Sequence, residues 1–482
     1  AGVVSPPAAA APRRDTALEA ALMEHIGVLA SDDFGGRRAG SDGEGKTLRY
    51  LARQWFDIGL VSGTNDPGHE WFSPVTLIAR APASSSARFM RKGRPVYVPN
   101  SAVLVLTSGR RSLVRDAPLL FVGKGHGDMP SRNDLAGRVA VLLDGGIDNS
   151  ERQNALLAAG ASAVLTVLDG ERTLDSVAAR RRRSGYALAD DNIGGDLEGF
   201  ITHEGFARVL QGGSRTSAGL EQAAAAPDFV PILLSVTATL EATTTEATIS
   251  THNLIGKLPG RRPDSGAVIF LAHWDGFGTC AEPPAEDLIC NGAIDNATGL
   301  AVLTEIARRL SRAPQADRDI YFVATTAEEL GLLGAHAFAE NPPLPLNQIV
   351  AAFNIDSVGT APAGTPVAIV GKGLTPLDSQ ITRVARQLRR KVVDSDLAVA
   401  YVRRQDGWAL LQHDIPAVMV SSAYGDAGSM QHFFDGDYHR PSDDLKRAIE
   451  LGGAAEDVAL NVALGRWFAD ARRVPLRPRA GK

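Results

Sequence analysis

Two adjacent glutamates, Glu328 and Glu329, sit in YFVATTAEELGLLGA (residues 321–335), where an apolar, β-rich run stops. Acids suit the first turn of a helix, whose N-terminus carries partial positive charge, so alone the pair reads equally well as a helix start. The same oddity recurs at other strand ends. FLAHWDG closes with His273 and Asp275. On an extended chain, residues i and i+2 face the same side, so Asp275 is expected to accept a hydrogen bond from one ring nitrogen of His273, leaving the other for a metal. A strand-end histidine beside a solvated aspartate is the plainer alternative. Asp295, in NGAIDNATG, precedes an amphipathic helix that it would also cap. Asp356 follows the apolar run of AAFNIDSVG, and His439 lies in the aromatic, proline-containing loop DGDYHRPSDD. Each is ordinary singly. Together they gather two histidines and several carboxylates on one sheet edge, a costly cluster of like charge without a cation. A pair of divalent ions removes that cost. Mixed His/carboxylate ligation without Cys suits zinc, with manganese or cobalt as alternatives.

The elements that must position these residues alternate. AVIFLAHWD reads as a strand, GLAVLTEIARRLS as an amphipathic helix, DIYFVATT as a strand, EELGLLGAHAFAE as a helix and IVAAFNIDS as a strand. PLDSQITRVARQLRRKV comes next as a helix and IPAVMVSS as a strand. Continuous apolar strands alternating with helices indicate an α/β fold with a mainly parallel central sheet flanked by helices, and sites in such sheets form at the carboxyl ends of strands. Apolar spacing over 15–31 predicts a helix, and a second is expected behind Ser41 or Asp42 as cap. From about residue 100 the texture changes to short strand-like runs between Gly, Pro and Asp turns, closing near 240.

The chain has 482 residues and a net charge of −5, with no basic block that reads as a nucleic-acid surface. No apolar run is long enough to span a bilayer. AGVVSPPAAAAPRRDT reads as a flexible leader over 1–15, and a removed export signal would account for it. The two cysteines, Cys280 and Cys290, are expected to form one local disulfide; free or metal-binding thiols are the alternative.

AHWDG, GAIDNATG, TAEELGLLGA, NIDSVG and YHRPSDD, in this order and spacing, resemble the M28 peptidases, di-zinc aminopeptidases of the exported bacterial kind. The resemblance spans about 245–470, with the stretch LASDDFGGRRAGSDGEGKTLRYLARQWFDIGL similar to the family's N-terminal helices. It implies a zinc exopeptidase fold: catalytic parts at 16–97 and 241–482, and a smaller α+β protease-associated (PA) insertion at 98–240. It implies that His273, Asp295 and Asp356 hold one Zn²⁺, and that Asp295, Glu329 and His439 hold the other. Glu328 would be the general base and Asp275 the orienting carboxylate. Tyr401, one position out of the family's register, would help stabilise the tetrahedral intermediate. The chain departs from the family at Gln405, Asp406 and Gly407, where members often read Ser-Asp-His; Trp408 lines the substrate pocket or packs on the sheet. The substrates implied are peptides with a free N-terminus, with no obligate protein partner evident and a periplasmic or extracellular location in a bacterium. A carboxypeptidase, dipeptidase or glutaminyl-cyclase relative, or a non-catalytic ectodomain, are the competing readings.

Overall fold

The computed structural model describes residues 14–124, 130–145, 149–191 and 194–476; most of the leader expected at 1–15 lies outside them. The chain divides into two compact units, one comprising residues 1–76 and 249–482, the other 77–248.

The first unit is built on a sheet. Its strands are β1 (Ile232–Leu258, whose last residues belong here), β2 (Ala267–His273), β3 (Asp319–Thr325), β4 (Ile349–Asn354), β5 (Val367–Val370), β6 (Val392–Val393) and β7 (Ala417–Ser421). The spatial order is β6-β5-β7-β4-β2-β3-β1. The four central strands β7, β4, β2 and β3 run parallel, whereas β1 and β5 join antiparallel. Every residue of β2 and β3 is buried. Such runs read as continuously apolar because helices cover both faces.

One face packs against α1 (Thr16–Leu29), α2 (Asp42–Ile58), α3 (Gly299–Ser311) and the C-terminal helix Gly452–Phe468. The other packs against α4 (Leu333–Glu340) and α5 (Asp406–Gln412). In α1, Leu18, Leu22, Ile26 and Leu29 form the buried stripe, and the Asp15 carboxylate caps the helix by accepting from the Leu18 amide at 3.1 Å. Each such Leu or Ile contributes about 1.5–3 kcal/mol by leaving water. Phe270 stacks between Phe322 and Phe353, centroids 5.8 and 5.4 Å away, so the core runs unbroken across the three parallel strands. Ser41 does not cap α2 with its side chain; its hydroxyl turns back to the Arg38 carbonyl.

The second unit has its own parallel strands, Arg111–Phe121, Val139–Leu143, Ala163–Val167 and Leu197–Ile201, with Val103–Thr107 antiparallel at one edge. Helices such as Asn149–Ala158 and His203–Leu210 accompany them, and the unit holds its own apolar core. Among the described residues no helix is long and apolar enough to cross a membrane.

Candidate metal centre

The parallel strands β2, β3 and β4 end side by side, and polar residues come directly after them. His273 is the last residue of β2 and is 1% exposed. Asp356 lies two residues beyond β4, equally buried, and accepts from the Ser357 hydroxyl at 3.0 Å. Beyond β3 the chain turns through Ala327, at φ 52°, before Glu328 and Glu329. Helix α4 starts only at Leu333, so the two glutamates precede the helix rather than occupying its first turn.

The Asp275 carboxylate faces the His273 ring from just outside hydrogen-bond distance. Its Oδ1 lies 3.6 Å from His273 Nδ1, beyond hydrogen-bond reach, while that nitrogen is 3.2 Å from the Asp275 carbonyl. The carboxylate instead accepts from the Glu328 amide at 3.0 Å and the Glu329 amide at 3.4 Å.

Asp295 sits in an irregular segment, Ala293–Thr298, between left-handed Gly292 and α3. Two residues without an assigned role in the sequence hold it there. Asp443 accepts from the Ile294 amide at 2.9 Å and the Asp295 amide at 3.0 Å. Asn296 donates to the His273 and Ile355 carbonyls and accepts from the Gly299 and Ser357 amides, linking three strand-end segments. Their positions, one residue past Asp295 and four past His439, were the only signal. Asp406, fully buried, accepts from the Thr325 hydroxyl at the end of β3.

The ligand atoms converge on Asp295. Its Oδ1 is 3.2 Å from His273 Nε2, which is 3.5 Å from Asp356 Oδ1. Its Oδ2 is 3.3 Å from His439 Nε2, which is 3.0 Å from Glu329 Oε2. One carboxylate thus faces two sets, His273–Asp295–Asp356 and Asp295–Glu329–His439; Glu328 shares a third grouping with His273 and Glu329. The His439 ring stacks on Tyr438 and meets Phe277 edge-on, centroids 3.6 and 4.4 Å away, and its side chain is 34% exposed. The Tyr401 hydroxyl reaches Asp356 Oδ2 at 3.4 Å. Trp408 is half-buried, packed on Leu332 and Ala335 with Arg403 over its ring.

Electrostatics mark the crowding. Burial, reinforced by Asp295, pushes the Glu329 carboxyl up to about 8. Burial also raises Glu328 well above the carboxylate range, with Glu329 and Asp356 adding to the shift, and lifts Asp406 to about 7. Burial opposes charge on His439, but the Glu329 charge and contacts with Asp295 and Glu329 outweigh it and raise the imidazole to about 10. His273 is likewise raised, its carboxylate neighbours outweighing burial.

The donor set fits divalent cations. Ligand atoms about 2.0–2.1 Å from a tetrahedral ion stand roughly 3.3 Å apart, and the nitrogen–oxygen separations run from 3.0 to 3.5 Å. His273 Nε2 and Asp295 Oδ2 are buried without a hydrogen-bond partner, as ligand atoms would be. Cys280 and Cys290 are not ligands: they form the disulfide, Cα atoms 5.7 Å apart, in the loop between His273 and Asp295.

A family profile described as Peptidase family M28 matches residues 253–463. Aminopeptidase YwaD of Bacillus subtilis is 27% identical over 247 residues, 51% of this chain and 44% of its own length. The alkaline phosphatase isozyme conversion protein of Escherichia coli is 37% identical over 95 residues, 18% of this chain and 27% of its own. The chain thus spans less than half the length of these two curated relatives. Among solved structures, an aminopeptidase from Aneurinibacillus sp. strain AM-1 superposes with a TM-score of 0.56 at 19% identity, covering 95% of this chain and 96% of the other. The fold is therefore that of this aminopeptidase, and residues 253–463 belong to peptidase family M28.

Proposed function

We propose that the protein is a di-zinc aminopeptidase, hydrolysing the first peptide bond of substrates with a free N-terminus. The observation that carries this reading is Asp295, which turns one carboxylate oxygen to His273 and the other to His439. His273, Asp295 and Asp356 would hold one ion, and Asp295, Glu329 and His439 the other. When bound, zinc here supplies an acidified water and polarises the scissile carbonyl.

The remaining work falls to the chain. The Glu328 carboxylate takes the proton of the attacking water and delivers it to the leaving amine. Its buried position raises its proton affinity, the direction that lets a carboxyl group act as base and then as acid, and such transfer contributes ~10²–10⁴ in rate. Asp275, through the two backbone amides it accepts from, fixes the turn that presents Glu328 to the water and Glu329 to its ion. The Tyr401 hydroxyl would steady the oxyanion of the tetrahedral intermediate from the Asp356 side. Tyr438 and Phe277 hold the His439 ring from two sides, which orients Nε2 toward Asp295 and Glu329.

The insertion expected at 98–240, which falls within the compact unit of residues 77–248, is read as protease-associated. The Cys280–Cys290 bond supports a location outside the reducing cytosol, consistent with export in a bacterium. Metal analysis combined with hydrolysis of aminoacyl-p-nitroanilides, against N-blocked and C-terminally reporting substrates, tests the reading. Cleavage confined to unblocked N-termini and abolished by chelation is expected. Turnover of blocked substrates, or of C-terminal residues, would move the protein to another exopeptidase class.

A further inference from the structure

Arg37, in the stretch FGGRR, is fully buried and carries a left-handed backbone, φ 53°. Its guanidinium donates to four carbonyls: Nε to Trp274 at 3.0 Å, Nη1 to Leu29 at 2.9 Å and Asn291 at 2.6 Å, and Nη2 to Gly292 at 3.0 Å. Its own carbonyl accepts from the Gly276 amide at 3.2 Å. Trp274 stands between His273 and Asp275, and Asn291 and Gly292 lead into the turn that ends at Asp295. One side chain therefore spans both segments from which ligands project.

The backbone closes tightly around it. A Cβ at Gly292 would lie 2.9 Å from Arg37 Nη2 and 2.0 Å from the Asp295 carbonyl oxygen. At Gly276 it would meet the Gly36 carbonyl at 2.8 Å, and at Gly36 the Cys290 carbonyl at 2.5 Å. Three glycines thus admit the approach that the guanidinium holds. A planar fork with five donors can bridge such divergent carbonyls, whereas a lysine ammonium cannot reach them together.

We propose that Arg37 is a positioning residue for the metal centre, setting the spacing of His273 against Asp295 so that their ligand atoms are preorganised for the ions. This rests on the cluster being a metal centre. Arg318 provides an internal control. It is also buried and donates to the carbonyls of Ser265, Phe468 and Val474, but none of these adjoins a ligand.

The test is zinc titration of folded wild type, Arg37→Lys, Arg37→Met and Arg318→Lys against a chromogenic chelator, with thermal unfolding of the metal-free forms and steady-state kinetics alongside. Groups that orient ligands typically contribute ~10–100-fold to metal affinity. Both Arg37 variants should bind zinc at least ~10-fold more weakly, kcat falling and KM holding within about twofold. Arg318→Lys should lower the unfolding temperature and leave zinc affinity unchanged. Wild-type affinity in folded Arg37→Lys would overturn the proposal, as would tighter binding by Arg37→Met, which would make charge repulsion the dominant effect. If neither Arg37 variant folds, the residue serves stability in general and the proposal fails. If wild type itself takes up no zinc, the metal reading fails first.

Discussion

Both units of this chain build parallel strands from fully buried apolar residues, yet they finish those strands differently. In residues 77–248, the strand Val139–Leu143 ends at Asp144, which pairs with Arg172 at 3.1 Å. Leu197–Ile201 ends at Thr202, whose hydroxyl accepts from the Gly205 amide and caps the next helix. Thr166 accepts from Gln153 within the core. Polar groups at these strand ends are satisfied by the chain itself. In the other unit, β2, β3 and β4 lead into His273, Glu328, Glu329 and Asp356, crowded against Asp295, and the acidities of His273, Glu328 and Glu329 are displaced. Parallel sheets need only apolar strands. The residues just past the last apolar position decide whether the edge is scaffold or site.

The sharpest way to break this contrast is at the glutamate pair. Glu328→Gln keeps shape and hydrogen-bonding capacity but cannot take a proton. Its kcat should fall at least ~10²-fold with metal content retained. Glu329→Gln should lose the ion shared with His439 or hold it far more weakly, because an amide poorly replaces a carboxylate ligand. Metal analysis beside kinetics distinguishes the two, and the opposite pattern would exchange their roles.

Chelation should separate the units next. In the metal-free protein, Glu329 is raised from its usual 4.5 to about 8 and His439 from 6.5 to about 10. Both shifts make the folded state bind more protons than the unfolded state, so stability falls as pH rises through these windows. The difference in unfolding temperature between metal-loaded and chelated protein should therefore be larger near about pH 8.5 than near about pH 5.5. An equal difference at both values would show that the cluster's protonation is not linked to folding.

Smaller effects come from the satisfied edges. Asp144→Asn leaves Arg172 without its charged partner and should cost about 1–3 kcal/mol, read by denaturant unfolding, with metal content untouched. Replacing both Cys280 and Cys290 by Ser should remove about 2–3 kcal/mol at most, given the separation of ten residues. Mass spectrometry without reductant checks the bond itself; two free thiols would refute it.

The strand ends were legible because a buried run that stops at His or Asp is conspicuous. The alternation of runs also gave the sheet its parallel centre. The turn before α4 was not, since Ala327 and Leu332 adopt positive φ that nothing in their side chains announces. Hydrogen bonding by Asp275, Asn296, Asp443 and Arg37 was illegible for a related reason: most of their partners are backbone groups far away in sequence. The division between units was blurred by two long strands, Phe72–Arg91 and Ile232–Leu258. The second runs through TATLEATTTEATISTHNLIG without an internal Gly or Pro break. Texture changes near 98 and 240 therefore fall inside or beside continuous pairing, whereas the compact unit runs from 77 to 248.

The central claim is that Asp295 joins two metal positions. Metal content per folded chain, measured for wild type, His439→Ala and Asp295→Ala after exhaustive dialysis against trace zinc, tests it most directly. The account predicts two ions in wild type, one in His439→Ala, and loss or severe weakening of both in Asp295→Ala. A single ion in wild type that survives in His439→Ala would contradict it.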